Sequence, residues 1–230
     1  MRILLTGATG LVGQGVLKVC LEDPRVTGIT ALGRHASGST HDKVEDLVVA
    51  DFGDLSAVED RLHPFDACLY CAGAIPLGMA EAEYRRVTLE LTLNVAQTLA
   101  RSNPALTFVY VSGAHSNPDS AIMPLRVKGE TERALAALPL RTIMLRTGGI
   151  QPSQGERSPH PAMAAFYSVA APVMGVGVRW MPGVLTSTDR VGKAMLQLLR
   201  QPDPPAIVEN DAINALAEAY DASTPGQGQG

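Results

Sequence analysis

The segment Thr6-Gly7-Ala8-Thr9-Gly10-Leu11-Val12-Gly13 constrains this chain more than any other feature. It sits between a short apolar run, Arg2 to Thr6, and a stretch from Leu11 to Leu21 with helical apolar spacing that stops near Asp23-Pro24. A strand, a glycine turn and a helix in that order place a helix N-terminus against the turn, where backbone N–H groups and the helix dipole favour an anion. Gly7 permits the tight turn, Gly10 lets the backbone approach a pyrophosphate, and Gly13 allows close packing at the start of the helix. Gly7, Thr9, Gly10, Leu11 and Val12 are therefore the expected contacts to a dinucleotide.

The rest of the chain repeats the alternation. Strands are expected at Gly28–Gly33, Val44–Ala50, Ala67–Ala72, Thr107–Ser112 and Arg141–Leu145, and helices at Leu55–Leu62, Ala82–Arg101 and Leu125–Ala137. Thr188-Asp189 reads as the cap of a helix through Leu199, followed by a small strand at Ala206–Val208 and a last helix at Asp211–Tyr220. Short apolar strands separated by helices imply a parallel sheet covered on both faces. Right-handed crossovers then favour the α/β, Rossmann-type doubly wound sheet with strand order 3-2-1-4-5-6. One domain over residues 1–221 is expected, with residues 147–221 supplying a small C-terminal region that covers the substrate cleft and 222–230 a disordered tail. The apolar run Ala162–Val178 is too short and too interrupted by Pro172, Gly175 and Gly177 for a membrane span, and reads as a buried or cleft-lining helix.

Composition narrows the partners. The chain has 230 residues, a formal net charge of −4 and 4% aromatic residues. With no basic cluster and few rings for base stacking, nucleic acid is not an expected partner. Three cysteines, Cys20, Cys68 and Cys71, make no disulfide framework and point to a reducing compartment. The Cys68-x-x-Cys71 pair falls on a buried strand, where residues three apart face opposite ways, so neither a redox nor a metal role is expected. With no signal-peptide pattern at the amino terminus, the expected location is cytoplasmic.

At the end of the second strand an NAD site would carry a carboxylate for the ribose hydroxyls, about 20 residues after the glycines. The sequence there is Leu32-Gly33-Arg34-His35, without an acid. A cationic Arg34 suits a 2′-phosphate, so NADP(H) is the expected cofactor and NAD(H) the alternative.

With these residues in view, the chain resembles the atypical, extended-like members of the short-chain dehydrogenase/reductase superfamily, the small NAD(P)-dependent epimerase/dehydratase-like proteins. Besides the glycine loop, the resemblance rests on Asp51-Phe52, Cys71-Ala72-Gly73-Ala74, Val87-Thr88 through Thr92-Leu93-Asn94-Val95, Tyr110-Val111-Ser112-Gly113 and Val127-Lys128-Gly129-Glu130. It implies that Asp51 and Phe52 flank the adenine and that Ala72 and Gly73 run along the cofactor ribose. It also implies a Ser, a Tyr and a Lys for chemistry. Ser112 matches the serine and Lys128 the lysine, which grips the nicotinamide ribose and stabilises a tyrosinate. The tyrosine should stand four residues before Lys128, and that position is Pro124, which has no ionisable group. Proline at the start of a helix leaves the helix intact.

His115, three residues beyond Ser112, is the leading substitute for proton transfer, ahead of Tyr167 and His160; Tyr110 reads as a core aromatic. Lys128 can also be read as a helix-surface charge paired with Glu132. It is, however, one of four lysines beside fifteen arginines, and it falls where cofactor binding needs it. The expected function is an oxidoreductase or epimerase acting on a small carbonyl or hydroxyl compound that the sequence does not identify. The alternative is a non-catalytic NADP(H)-binding sensor or scaffold. The helices at Ala82–Arg101 and Leu125–Ala137 are faces through which the superfamily dimerises, which makes a homodimer an expected partner.

Overall fold

The computed structural model describes residues 1–62, 64–153, 155–156 and 183–223. Tyr167, His160, the Ala162–Val178 run and residues 224–230 lie outside them. Seven parallel strands form the sheet: β1 (Arg2–Thr6), β2 (Gly28–Gly33), β3 (Val44–Val48), β4 (Ala67–Tyr70), β5 (Thr107–Gly113), β6 (Arg141–Thr147) and β9 (Ile207–Glu209). Their order is β3-β2-β1-β4-β5-β6-β9, the expected doubly wound order with the small strand added beyond β6. Two further strands, β7 (Gly149–Gln151) and β8 (Leu185–Ser187), pair with each other in parallel and were not expected.

Strand alternation divides the core. Ile3 and Leu5 of β1 face one way, onto Val16, Val19 and Cys20 of α1 (Leu11–Glu22) and onto the two C-terminal helices. Leu4 faces the other way, into a layer with Val95 and Leu99 of α3 (Leu91–Ser102) and Leu135 of α4 (Met123–Ala136). Helices therefore cover both faces, as a parallel sheet requires. Cys68 belongs to the second layer and Cys71 packs on the first, the opposed facing expected of a strand. Tyr110 is a core residue, as read from the sequence.

Glycines set the closest helix contact. A Cβ on Gly15 of α1 would stand 2.4 Å from Thr188 Cβ, so α1 and α5 (Thr188–Leu198) meet nearly backbone to backbone. Thr188 opens α5 rather than capping it. Ser187 holds the cap position, and the Asp189 amide is satisfied from outside the helix by Ser153 Oγ at 3.1 Å.

Two helix expectations need correction. Leu55–Leu62 forms consecutive turns with a short 3₁₀ segment at Glu59–Arg61. Val58, Arg61 and Leu62 donate to carbonyls three residues back, and Asp54 Oδ1 takes the Ser56 N–H, so turns deliver Leu55, Val58 and Leu62 to the core at helix-like spacing. The stretch expected as one helix over Ala82–Arg101 is α2 (Glu81–Arg85), a π-helical turn over Arg86–Glu90, and then α3. The Thr88 carbonyl in that turn accepts Thr92 Oγ1 at 2.7 Å and Thr131 Oγ1 of α4 at 3.4 Å, so side chains supply donors where the α-helical ladder is interrupted.

Candidate functional site

Gly7 has φ +72°, and a Cβ there would lie 2.7 Å from the backbone of Cys71 and Ala72. Only glycine fits at that approach. The loop after β4 is held against it from both sides: Cys71 N donates to Thr6 O at 3.3 Å and Ala72 N to Thr6 Oγ1 at 3.2 Å. A Cβ on Gly13 would stand 2.0 Å from Gly7 O, so the third glycine serves the contact between helix and turn. Gly10 occupies the cap of α1 and brings no capping side chain, so the amides of Leu11 and Val12 open the first helical turn without one. An added Cβ on Gly10 would meet Gly7 O alone, at 3.2 Å, and its outer side is open. An open, uncapped helix N-terminus beside a left-handed glycine is a cradle that a pyrophosphate fits.

The cradle is one end of a cavity of about 310 Å³ across the carboxyl ends of β1 to β4. Of the expected cofactor residues, Gly7, Thr9, Gly10, Arg34, Asp51, Phe52, Ala72 and Gly73 line it. Leu11 and Val12 lie in the first turn of α1, behind the lining. Arg86, Val87 and Leu91, none of them an expected cofactor contact, also line it, from the π-helical turn and the start of α3. Asp51 Oδ1 accepts the Gly53 N–H at 2.8 Å, and its Oδ2 pairs with Arg86 Nη2 at 2.5 Å. The Gly53 amide, Arg86 and the nearby charge of Arg34 hold the Asp51 carboxyl below its usual range. Asn94 of α3 donates to Phe52 O at 2.7 Å and fixes the loop that carries both adenine candidates.

The expected chemical residues gather at the end of β5, outside the lining of this cavity. Ser112 is 1% exposed, and its Oγ donates to Glu132 Oε1 at 2.6 Å. Glu132 also takes Arg146 Nη2 at 2.7 Å, and Arg146 reaches Glu209 at 3.0 Å. Glu132 thus pairs with Arg146 and not with Lys128, which corrects the reading of Lys128 as one half of a helix-surface pair. Lys128 Nζ lies over Gly113, 3.3 Å from where a Cβ would stand, and makes no hydrogen bond or ion pair among the described residues. Burial pulls its ammonium down to about 8, partly offset by the Glu132 carboxylate. Pro124 is the second residue of α4, and the helix forms around it as expected. His115 is exposed and carries φ +61°, left-handed backbone in a residue that rarely adopts it.

Residues 3–138 match the model of the NAD dependent epimerase/dehydratase family. Protein FMP52, mitochondrial, of Saccharomyces cerevisiae is 32% identical over 163 residues, covering 69% of this chain and 68% of that protein. Protein fmp52, mitochondrial, of Emericella nidulans is 27% identical over 199 residues, 84% of each chain. Among solved structures, the Bordetella bronchiseptica enzyme WbmF in complex with NAD+ is similar with a TM-score of 0.65 at 14% identity, covering 97% of this chain and 79% of that one. The curated relatives are named as mitochondrial and overturn the cytoplasmic expectation. Its premises, few cysteines and the lack of a signal-peptide pattern, speak against secretion and do not separate one reducing compartment from another.

Proposed function

We propose that this chain, which belongs to the NAD dependent epimerase/dehydratase family, binds NADP(H) across the carboxyl ends of β1 to β4 and acts as an oxidoreductase or epimerase on a small carbonyl or hydroxyl compound. The observation that carries the reading is the uncapped α1 N-terminus at Gly10, beside the glycine turn and in one cavity with Arg34. The glycine turn and first helical amides would hold the pyrophosphate, Ala72 and Gly73 the adjoining ribose, Asp51 and Phe52 the adenine, and Arg34 the 2′-phosphate. A bound nicotinamide would supply or accept hydride. Lys128, whose ammonium over Gly113 has no partner among the described residues, would grip the nicotinamide ribose, and the exposed His115 would exchange the substrate proton with solvent. Ser112 would orient the substrate oxygen once its hydroxyl is released from Glu132.

The test measures NADPH and NADH affinity with NADPH-linked turnover on carbonyl and alcohol panels. Arg34→Ala should weaken NADPH about tenfold or more while NADH changes less than twofold, the loss expected for one charge-assisted contact. Equal losses for the two cofactors would remove the 2′-phosphate assignment. Lys128→Ala should abolish turnover.

A second reading, NADP(H) binding without chemistry, draws support from Pro124 at the tyrosine position and from Ser112 Oγ held 2.6 Å from Glu132. It expects a large thermal shift with NADPH and no change in nicotinamide absorbance with any substrate. Turnover by the unmodified chain excludes it.

A further inference from the structure

One guanidinium, Arg86, pairs with Asp51 at 2.5 Å, and a second, Arg34, lines the same cavity near that carboxylate. Arg34 follows β2 and Asp51 follows β3; these strands are neighbours in register, with Gly33 beside Val48, so both residues leave the same sheet edge. Arg86, the first residue of the π-helical turn, lines the same cavity and reaches Asp51 from that turn. Extra residues in such turns re-aim side chains, and they are frequent at functional sites. Asp51 is the one carboxylate among the described residues that line the cavity, and it is already engaged by Arg86 and by the Gly53 amide. The carboxylate that would take the free ribose hydroxyls of NAD belongs at the end of β2, where this chain carries Arg34. Here the balance of side-chain charge is two cations to one anion.

The Arg86–Asp51 pair is also exchangeable. Its side chains are 54% and 45% exposed, and an ion pair that open to water contributes little by itself. A phosphate monoester carries about −1.5 to −2 charges and three acceptor oxygens, against one charge and two oxygens for a carboxylate, so it competes well for a guanidinium.

We propose that Arg86 is a specificity-determining residue for the 2′-phosphate: it rests on Asp51 in the free protein and transfers to the phosphate when NADP(H) binds, alongside Arg34. This deepens the NADP(H) reading and rests on it. In the bound state Arg86 and Arg34 hold the phosphate together, and Asp51, freed from Arg86, turns to the adenine.

The test is equilibrium binding of NADPH, NADH, adenosine 2′,5′-bisphosphate and ADP to the full chain and to Arg86→Ala, Arg86→Lys and Arg34→Ala. Arg86→Ala should weaken NADPH and the bisphosphate about tenfold while NADH and ADP change less than twofold. Arg86→Lys should recover part of the loss, because the charge survives and the fork does not. NADPH affinity should fall less steeply with salt in Arg86→Ala than in the unmodified chain. Equal losses for phosphorylated and unphosphorylated ligands overturn the proposal and make Arg86 a residue that positions Asp51; so does no loss at all. If Arg34→Ala discriminates and Arg86→Ala does not, the NADP(H) reading stands and this inference fails. If the folded, unmodified chain binds none of the four ligands, the underlying reading fails with it.

Discussion

Glu132→Gln isolates the buried charge at the end of β5. In the structure Glu132 is 6% exposed and accepts from Ser112 Oγ at 2.6 Å and from Arg146 at 2.7, 3.1 and 3.2 Å. The amide keeps one acceptor for Ser112 but turns an NH2 toward the donors of Arg146, so a guanidinium loses its carboxylate and gains a facing donor. Removing one partner of a fully buried pair costs about 3–5 kcal/mol. Arg146 keeps 20% side-chain exposure and a second carboxylate, Glu209, at 3.0 Å, which lowers the expected cost to about 2–3 kcal/mol. For a chain of this length that corresponds to a fall of about 4–12 °C in Tm, read by thermal melts and by urea denaturation at unchanged m. Ser112→Ala alone should cost about 1 kcal/mol, and the double variant should cost less than the sum, because both changes act on the same hydrogen bond. Adding Arg146→Met to Glu132→Gln should recover part of the loss by removing the stranded cation. A Glu132→Gln loss under about 1 kcal/mol, or strict additivity with Ser112→Ala, would refute a closed Ser112–Glu132–Arg146 cluster.

Lys128 makes the stability of the chain pH-dependent. Its folded value of about 8 lies below the ordinary lysine value of about 10.4, so between these pH values the unfolded chain binds more protons and stability contributed here rises with pH. Below pH 8 the cost of burying the ammonium is present in full. Lys128→Met should therefore raise Tm at pH 7, with a gain that shrinks toward pH 10; a pH-independent gain would show that the ammonium is not desolvated. Gly7→Ala should destabilise by more than the roughly 1–2 kcal/mol of a left-handed alanine, because its Cβ would also lie 2.7 Å from the Cys71–Ala72 backbone. Denaturation and NADPH titration should show both stability and binding falling, and a variant that binds normally would separate the turn from the cofactor.

Legibility in the sequence followed the range of each signal. The β1–turn–α1 unit could be read because all its information is local: apolar period, glycine spacing and the Asp23-Pro24 stop. The sheet order followed from strand alternation and crossover handedness. Arg86 escaped because its neighbours keep helical apolar spacing through the π turn, and one inserted residue that rotates a side chain into the cavity leaves the spacing of Leu91, Val95 and Leu99 intact. Glu132 was read against Lys128, its neighbour one turn away, whereas its partner Arg146 sits on the next strand and meets it only through the β5–α4–β6 crossover. Strands β7 and β8 are three residues each and pair across residues 152–184, a separation at which period carries no signal.

Pro124 can be placed more sharply with the structure than with the sequence. Ser112 and Lys128, on either side of it, differ in their partners. Among the described residues Lys128 has no partner for its ammonium over Gly113, whereas the Ser112 hydroxyl is drawn inward by Glu132. A cation left unpaired and partly desolvated costs free energy in the free protein, and binding a ribose hydroxyl or a nearby phosphate would repay that cost. A serine hydrogen-bonded inside an ion pair incurs no such cost and needs no ligand. The ammonium is therefore the part of the arrangement that stands to gain from a ligand, and the serine is the part that does not. On energetic grounds, ligand binding at Lys128 and chemistry at Ser112 are separable.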